Sequence, residues 1–194
     1  MGNIAVFLDR DGTVNEEVDF LNSPRDLHLI PRSAEAIRRA NDLGLRVFIV
    51  TNQSGVARGL LSEAELLEVH RVLIERLMEQ NARVDGIYYC PHHPSEGIDG
   101  FRRDCDCRKP NTGMIDRAVR EFQIDPAKSY VIGDRTVDVG MAKNAGAHAI
   151  LVLTGYGRAE RELCEKDGIP LDYVASDLYD AMEYVAGHID NGPA

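Results

Sequence analysis

Nowhere in the 194 residues does an apolar run approach the length needed to cross a bilayer, so no membrane partner is expected. Residues 1–20 lack a basic segment followed by an apolar one, so no secretory leader is expected and the chain reads as cytoplasmic. Cationic residues are in deficit: 22 Lys and Arg stand against 32 Asp and Glu, a net charge of −10. A nucleic-acid surface needs basic patches, so nucleic acid is not an expected partner. An anionic small molecule stays open, because a metal and a few local cations can dominate a site. No interdomain linker and no repeat divide the chain. One domain over residues 1–187 with a tail at 188–194 is expected, acting as a monomer. The segments Thr13–Ser33 and Leu61–Val84 are too short for a large cap domain.

What is present is an ordinary globular composition, 44% hydrophobic and 28% charged, on a chain long enough for a sizeable core. Short apolar runs alternate with helical patterns. Strands are predicted at 4–9, 45–50, 84–89, 130–132 and 149–153. Helices are predicted from Ser33, read as an N-cap, to Gly44, and from the capping-box pattern Ser62-Glu63-Ala64-Glu65 to about Ala82. Further helices are predicted at 114–123, 137–145, 158–166 and 178–185. Repeated βα units predict an α/β fold: a mainly parallel sheet between two helical layers, Rossmann-like in form. Leu66, Leu67, Val69, Leu73, Ile74 and Leu77 read as the core-facing stripe of the second helix.

The first strand ends in Asp9 and Asp11, within the segment FLDRDGTVN. In an open α/β sheet, ligands collect outside the carboxyl ends of the strands. One such carboxylate can attack phosphorus while the other moves the proton. A calcium loop would need a Glu at its twelfth position, and position 20 is Phe20. Three more segments follow in order: a strand ending in Thr51-Asn52-Gln53-Ser54-Gly55, then Arg108-Lys109-Pro110, then a strand ending in Gly133-Asp134 with Asp138 beyond it.

A second cluster lies between residues 90 and 110, where three of the four cysteines and two histidines, His92 and His93, fall within eighteen residues. Cys90, Cys105 and Cys107 with one imidazole satisfy tetrahedral zinc, and four protein ligands make a closed structural site. A disulfide is the alternative, disfavoured in a reducing compartment. Either histidine could be the fourth ligand. The loop is too rich in Gly, Pro and charge to pack a core of its own, so metal binding would supply its folding energy, on the order of 10 kcal/mol.

The four strand-end motifs resemble those of the haloacid dehalogenase superfamily. The segments TNQSGVARG, IYYCPHHP and CDCRKPNTGM are similar, within it, to the D-glycero-D-manno-heptose 1,7-bisphosphate 7-phosphatase family. Histidinol-phosphate phosphatases carry a related loop, typically shorter between the His and the second Cys, and are the runner-up. The resemblance covers Asn3 to about Tyr156 and implies a haloacid-dehalogenase-type fold without a large cap, with a zinc-stapled loop beside an open site.

The resemblance also implies roles. Asp9 would be the nucleophile and Asp11 the acid and base. Thr51 would donate to the transferring oxygens and Lys109 would neutralise their charge. Magnesium would sit on Asp9, the Asp11 carbonyl and Asp134, and zinc on Cys90, His92, Cys105 and Cys107. Asp138 would orient Lys109 or a metal-bound water. Glu17, Val18, Asp19, Phe20, Asn52, Gln53, Ser54, Arg108 and Arg135 would face the sugar or its second phosphate, Arg108 foremost because a guanidinium matches phosphate in a bidentate fork. The expected substrate is a small sugar phosphate in nucleotide-activated heptose and lipopolysaccharide biosynthesis. A zinc-stapled binding protein on a degenerate phosphatase fold is the non-enzyme alternative, and the intact chemical set speaks against it. Cys164 reads as a packed thiol, and His28, His70, His148 and His188 as core or surface residues without ligand-spaced neighbours.

Overall fold

Ala5–Leu8, strand β1, is buried along its whole length, with Val6 and Leu8 facing one apolar layer and Ala5 and Phe7 the other. A strand covered on both faces belongs at the centre of a parallel sheet. The computed structural model describes residues 3–98 and 100–190 and places it there. The remaining strands are β2 (Arg46–Asn52), β3 (Gly86–Cys90), β4 (Tyr130–Gly133), β5 (His148–Val152) and β6 (Tyr173–Ala175). Their order is β3-β2-β1-β4-β5-β6 and every pairing is parallel. The chain winds outward from β1 in one direction, then returns to β4 and winds in the other. The crevice above β1 and β4 is therefore the topological switch point, where ligands of such sheets bind.

Helices α1 (Ser33–Asp42), α2 (Glu63–Glu79) and α6 (Leu178–Asp190) cover one face, and α3 (Gly113–Phe122) and α4 (Thr136–Ala145) the other, with α5 (Gly157–Lys166) beside α4. On the first face Ile37, Val69, Leu73, Leu77, Met182 and Val185 pack on Val6, Leu8, Val47 and Ile49. On the second, Phe7 and Phe48 stack with centroids 5.4 Å apart under Met114, Ile115 and Val139. Each such buried aromatic contributes about 1.5–3 kcal/mol relative to exposure. The three-layer parallel architecture is the one the βα alternation predicts.

Several local expectations change. Ser33 is the first residue of α1 and not its cap; Arg32 precedes it in the left-handed region, with φ 66°, and lays its guanidinium 3.4 Å from the Tyr179 ring centroid. The capping box of α2 is present, with Ser62 N donating to Glu65 Oε2 at 2.7 Å and Glu65 N to Ser62 Oγ at 3.2 Å. Leu67, expected in the core-facing stripe, faces solvent at 53% exposure, and His70 joins Leu66, Val69, Leu73 and Leu77 on the buried side. Strand β6 was not predicted: its three residues carry too little pattern to register. Helix α6 continues past Val185 through residues 188–190, which the sequence places in a frayed tail; 191–194 lie outside the described residues.

Candidate active site

β1 delivers Asp9 to the crevice, where the Asp9 N–H still donates to Ile132 O of the neighbouring β4 at 2.9 Å. Thr51, near the end of β2, and Asp134, directly after β4, flank it. Lys109 arrives from the loop before α3 and donates from Nζ to Asp9 Oδ1 at 2.7 Å, Asp138 Oδ1 at 2.6 Å and Val50 O at 3.0 Å. Asp9, Thr51, Lys109 and Asp134, dispersed along the sequence, thus meet at the ends of β1, β2 and β4. Asp138, at the start of α4, has its second oxygen occupied by the Arg135 N–H at 3.1 Å, so it holds Lys109.

The electrostatics follow from burial and charge. Burial lifts the Asp9 carboxyl to about 6 against the opposing pull of Lys109, and lifts Asp134 to about 8 with the Asp9 charge adding to it. Burial opposes the Lys109 charge, but Asp138 and Asp9 outweigh it and hold the ammonium well above the usual lysine range. Asp11 behaves differently. Burial pushes it up, yet Arg10, Asn15 and Gln53 outweigh burial and hold it below the usual carboxylate range. Glu17, at the cleft wall, is lifted to about 7 by burial and by the Asp11 charge.

Asp134 is built to receive a cation. Its Oδ2 accepts from Tyr156 N at 2.8 Å, while its buried Oδ1 has no hydrogen-bond partner among the described residues. Gly12 and Gly155 enclose it: a Cβ on either would come within 2.3 Å and 2.2 Å of Oδ2, and both residues adopt positive φ, 78° and 52°. Asp9, Asp134 and Asp138 place oxygens within 4.8 Å of one another. An orphaned buried oxygen beside a second carboxylate, with only oxygen donors at hand, fits magnesium.

The loop from 90 to 110 forms a second cluster. Cys90 Sγ and Cys107 Sγ lie 3.5 and 3.4 Å from Cys105 Sγ, and His92 Nδ1 lies 3.7 Å from Cys90 Sγ and 3.4 Å from Cys107 Sγ. These separations approach the edges, ~3.8 Å, of a tetrahedron with sulfur arms of ~2.3 Å, so the four residues fit zinc. His93 turns away; its Nδ1 accepts from Ser95 N and Glu96 N at 3.4 and 2.9 Å. The loop is also fastened to the segment after β2 by an Arg58–Glu96 ion pair of 2.6 Å and by the Ile98 N–H on Ala57 O at 2.8 Å.

The cleft over Asp9 has a volume of about 440 Å³. Of the residues expected to face substrate, Glu17, Asp19, Phe20, Asn52, Gln53, Ser54, Arg108 and Arg135 line it. Val18 does not; it packs against the apolar layer under α1 and α2. Arg108 donates to His92 O at 3.0 Å, tying the cleft wall to the cysteine loop. Asn52 lines the cleft but spends its amide on the backbone of Lys109, with distances of 3.0 and 3.3 Å. Gln53 bridges Asp11 Oδ2 and Thr51 Oγ1, both at 2.8 Å. Arg58 and Tyr156 also line the cleft. Sequence reasoning passed over Arg58 although it stands in the same TNQSGVARG segment, and Arg10 although it lies between the two carboxylates.

Known proteins resemble this chain closely. The HAD-hydrolase-like family model matches residues 106–181. D-glycero-D-manno-heptose-1,7-bisphosphate 7-phosphatase of Chlorobaculum tepidum is 39% identical over 189 residues, covering 94% of this chain and 94% of that protein. D-glycero-beta-D-manno-heptose-1,7-bisphosphate 7-phosphatase of Haemophilus ducreyi is 40% identical over 186 residues, covering 95% and 100%. The crystal structure of D,D-heptose 1,7-bisphosphate phosphatase from B. bronchiseptica, complexed with magnesium and phosphate, superimposes with a TM-score of 0.84 at 36% identity, covering 95% of this chain and 98% of that one.

Proposed function

Because this chain belongs to the D-glycero-D-manno-heptose 1,7-bisphosphate 7-phosphatase family, we propose that it removes the C7 phosphate of that bisphosphate through an aspartyl-phosphate on Asp9. It is a phosphomonoester hydrolase of the haloacid dehalogenase superfamily. The observation that carries the residue assignment is the convergence of Asp9, Asp11, Thr51 and Lys109 on one cleft at the switch point.

Bound magnesium would be held by Asp9, Asp134 and the Asp11 carbonyl and would neutralise phosphoryl charge. The chain does the rest. An Asp9 oxygen attacks phosphorus, the bond from phosphorus to the C7 oxygen breaks, and Asp11, which must exchange one of its hydrogen-bond donors for a proton to act as the acid, gives that proton to the C7 oxygen. Asp11 is then a carboxylate among its donors, the form that takes a proton from the hydrolytic water. The water oxygen bonds to phosphorus, the acyl phosphate breaks, and Asp9 and inorganic phosphate are released. The Thr51 hydroxyl, which only accepts from Gln53, donates to the transferring oxygens, and Lys109, its three N–H donors held by Asp9, Asp138 and Val50 O, adds a fixed positive charge beside them. The remaining sugar 1-phosphate has the form required for coupling to a nucleotide, which suits nucleotide-activated heptose biosynthesis.

In this reading Arg108 holds the remote phosphate or the sugar, so binding energy there orients the reacting phosphate. Residues 1–187 act as one phosphatase unit, with the zinc loop as a cleft wall. We read the enzyme as a cytoplasmic monomer; among the described residues no helix is long and apolar enough to cross a membrane. The test is a side-by-side measurement of kcat/KM on both anomers of the bisphosphate and on histidinol phosphate. A preference for a heptose anomer is expected; a preference for histidinol phosphate would overturn the substrate assignment.

A further inference from the structure

Arg10 separates the two carboxylates in sequence and has no part in the chemistry above, yet it is among the largest fully buried side chains, with 0% exposure. A guanidinium in that position costs desolvation that an apolar residue would avoid. Each of its three nitrogens has a partner. Nε lies 3.0 and 3.1 Å from Asp11 Oδ1 and Oδ2, and Nη2 lies 2.9 and 2.8 Å from the same two oxygens. Nη1 faces the other way and reaches His70 Nε2 at 3.1 Å. His70 comes from α2, is 5% exposed, and packs its ring near Tyr89 with centroids 5.6 Å apart. Asn15 Nδ2 and Gln53 Nε2 close the Asp11 shell at 2.9 and 2.8 Å.

A carboxylate gripped by a fork on one side and two amides on the other has one available orientation. The fork itself needs an anchor, because Arg10 sits on the strand-end turn and its side chain has several rotatable bonds. His70 is that anchor. An imidazole with Nε2 unprotonated accepts from the guanidinium, and burial together with the Arg10 charge keeps the ring neutral, its pKa lowered to about 3. On the reading of Asp11 as acid and base, we infer that Arg10 and His70 are positioning residues for proton transfer: His70 fixes Arg10, and Arg10 fixes the Asp11 carboxyl in the cleft it shares with Asp9.

Proton donation matters for an alkyl phosphate, whose leaving alkoxide is strongly basic, and little for p-nitrophenyl phosphate, whose leaving phenolate is stable at neutral pH. The test measures kcat/KM for the heptose bisphosphate and for p-nitrophenyl phosphate in wild type, His70→Leu, His70→Gln and Arg10→Lys, with thermal melts to confirm folding. His70→Leu is expected to lose about 10- to 100-fold on the bisphosphate, a misplacement-sized effect, and less than about threefold on the aryl ester. His70→Gln restores an acceptor and is expected to recover most of the loss. Arg10→Lys keeps the charge without the fork and is expected to show the same alkyl-selective loss, so the comparison stands even where His70→Leu does not fold. Equal losses on the two esters, or none, would overturn the inference. Asp11→Asn in the same assay separates it from the reading beneath it. If Asp11→Asn hydrolyses the bisphosphate as wild type does, the acid–base reading falls. If Asp11→Asn is impaired while the Arg10 and His70 variants lose equally on both esters, only the positioning role falls.

Discussion

Lys109 Nζ stands 2.7 Å from Asp9 Oδ1, a buried ammonium against the carboxylate that attacks phosphorus. The same ammonium lies 2.6 Å from Asp138, so one cation offsets two buried anions. Removing one partner of such a group leaves uncompensated buried charge. Lys109→Met is therefore expected to abolish turnover and to destabilise the metal-free protein by about 3 kcal/mol, read by urea unfolding. Unchanged stability would show that the pair is not held as the structure places it.

Magnesium should stabilise the protein in a pH-dependent way. The folded pKa values of Asp9 and Asp134 are raised, to about 6 and about 8, above the ordinary aspartate value of 3.8. A carboxyl raised on folding contributes stability below its unfolded pKa and loses it as pH rises through the folded one. The metal-free protein thus loses that contribution between pH values of about 4 and about 8, and a bound dication offsets the loss. The rise in Tm on adding magnesium is expected to be larger at pH 8 than at pH 5, as scanning calorimetry at both would read. A shift independent of pH would contradict this.

Gly12 and Gly155 leave no room beside Asp134. Gly155→Ala is expected to push the Asp134 carboxylate off its position and to raise the magnesium concentration for half-maximal activity about 10- to 100-fold, with zinc content unchanged. A magnesium titration of activity, paired with metal analysis, checks both halves.

Zinc should be present at about one per chain, on Cys90, His92, Cys105 and Cys107. Cys105→Ser is expected to lower zinc content and to reduce kcat/KM on the bisphosphate, because Arg108 and Lys109 directly follow Cys107 and Arg108 is tied to His92 O. Full activity in a zinc-free variant would remove the loop from the account of the cleft.

The strand-end chemistry was legible because position in a βα unit dictates it: Asp9, Thr51 and Asp134 each end an apolar run, and parallel strands bring those ends together. The cysteine cluster was legible from the crowding of three cysteines and two histidines into eighteen residues, and the choice of His92 over His93 from the family resemblance. Side-chain direction was not. Val18 turns to the core, Asn52 holds the Lys109 backbone, and Leu67 faces solvent while His70 turns in. The Arg10–His70 contact joins residues 60 apart, and a histidine without ligand-spaced neighbours carries no sequence signal of a guanidinium partner. β6 and the final turns of α6 were missed because three residues and a helix end carry little periodicity.

The central claim is that Asp9 attacks the C7 phosphate and that the C1 phosphate stays. Phosphorus NMR of the heptose bisphosphate, followed with wild type and with Asp9→Asn, tests it most directly. Wild type is expected to release inorganic phosphate from C7 and leave the C1 resonance intact, while Asp9→Asn, folded and with an unchanged zinc content, releases none. Near-normal turnover by Asp9→Asn, or loss of the C1 phosphate in wild type, would contradict the account.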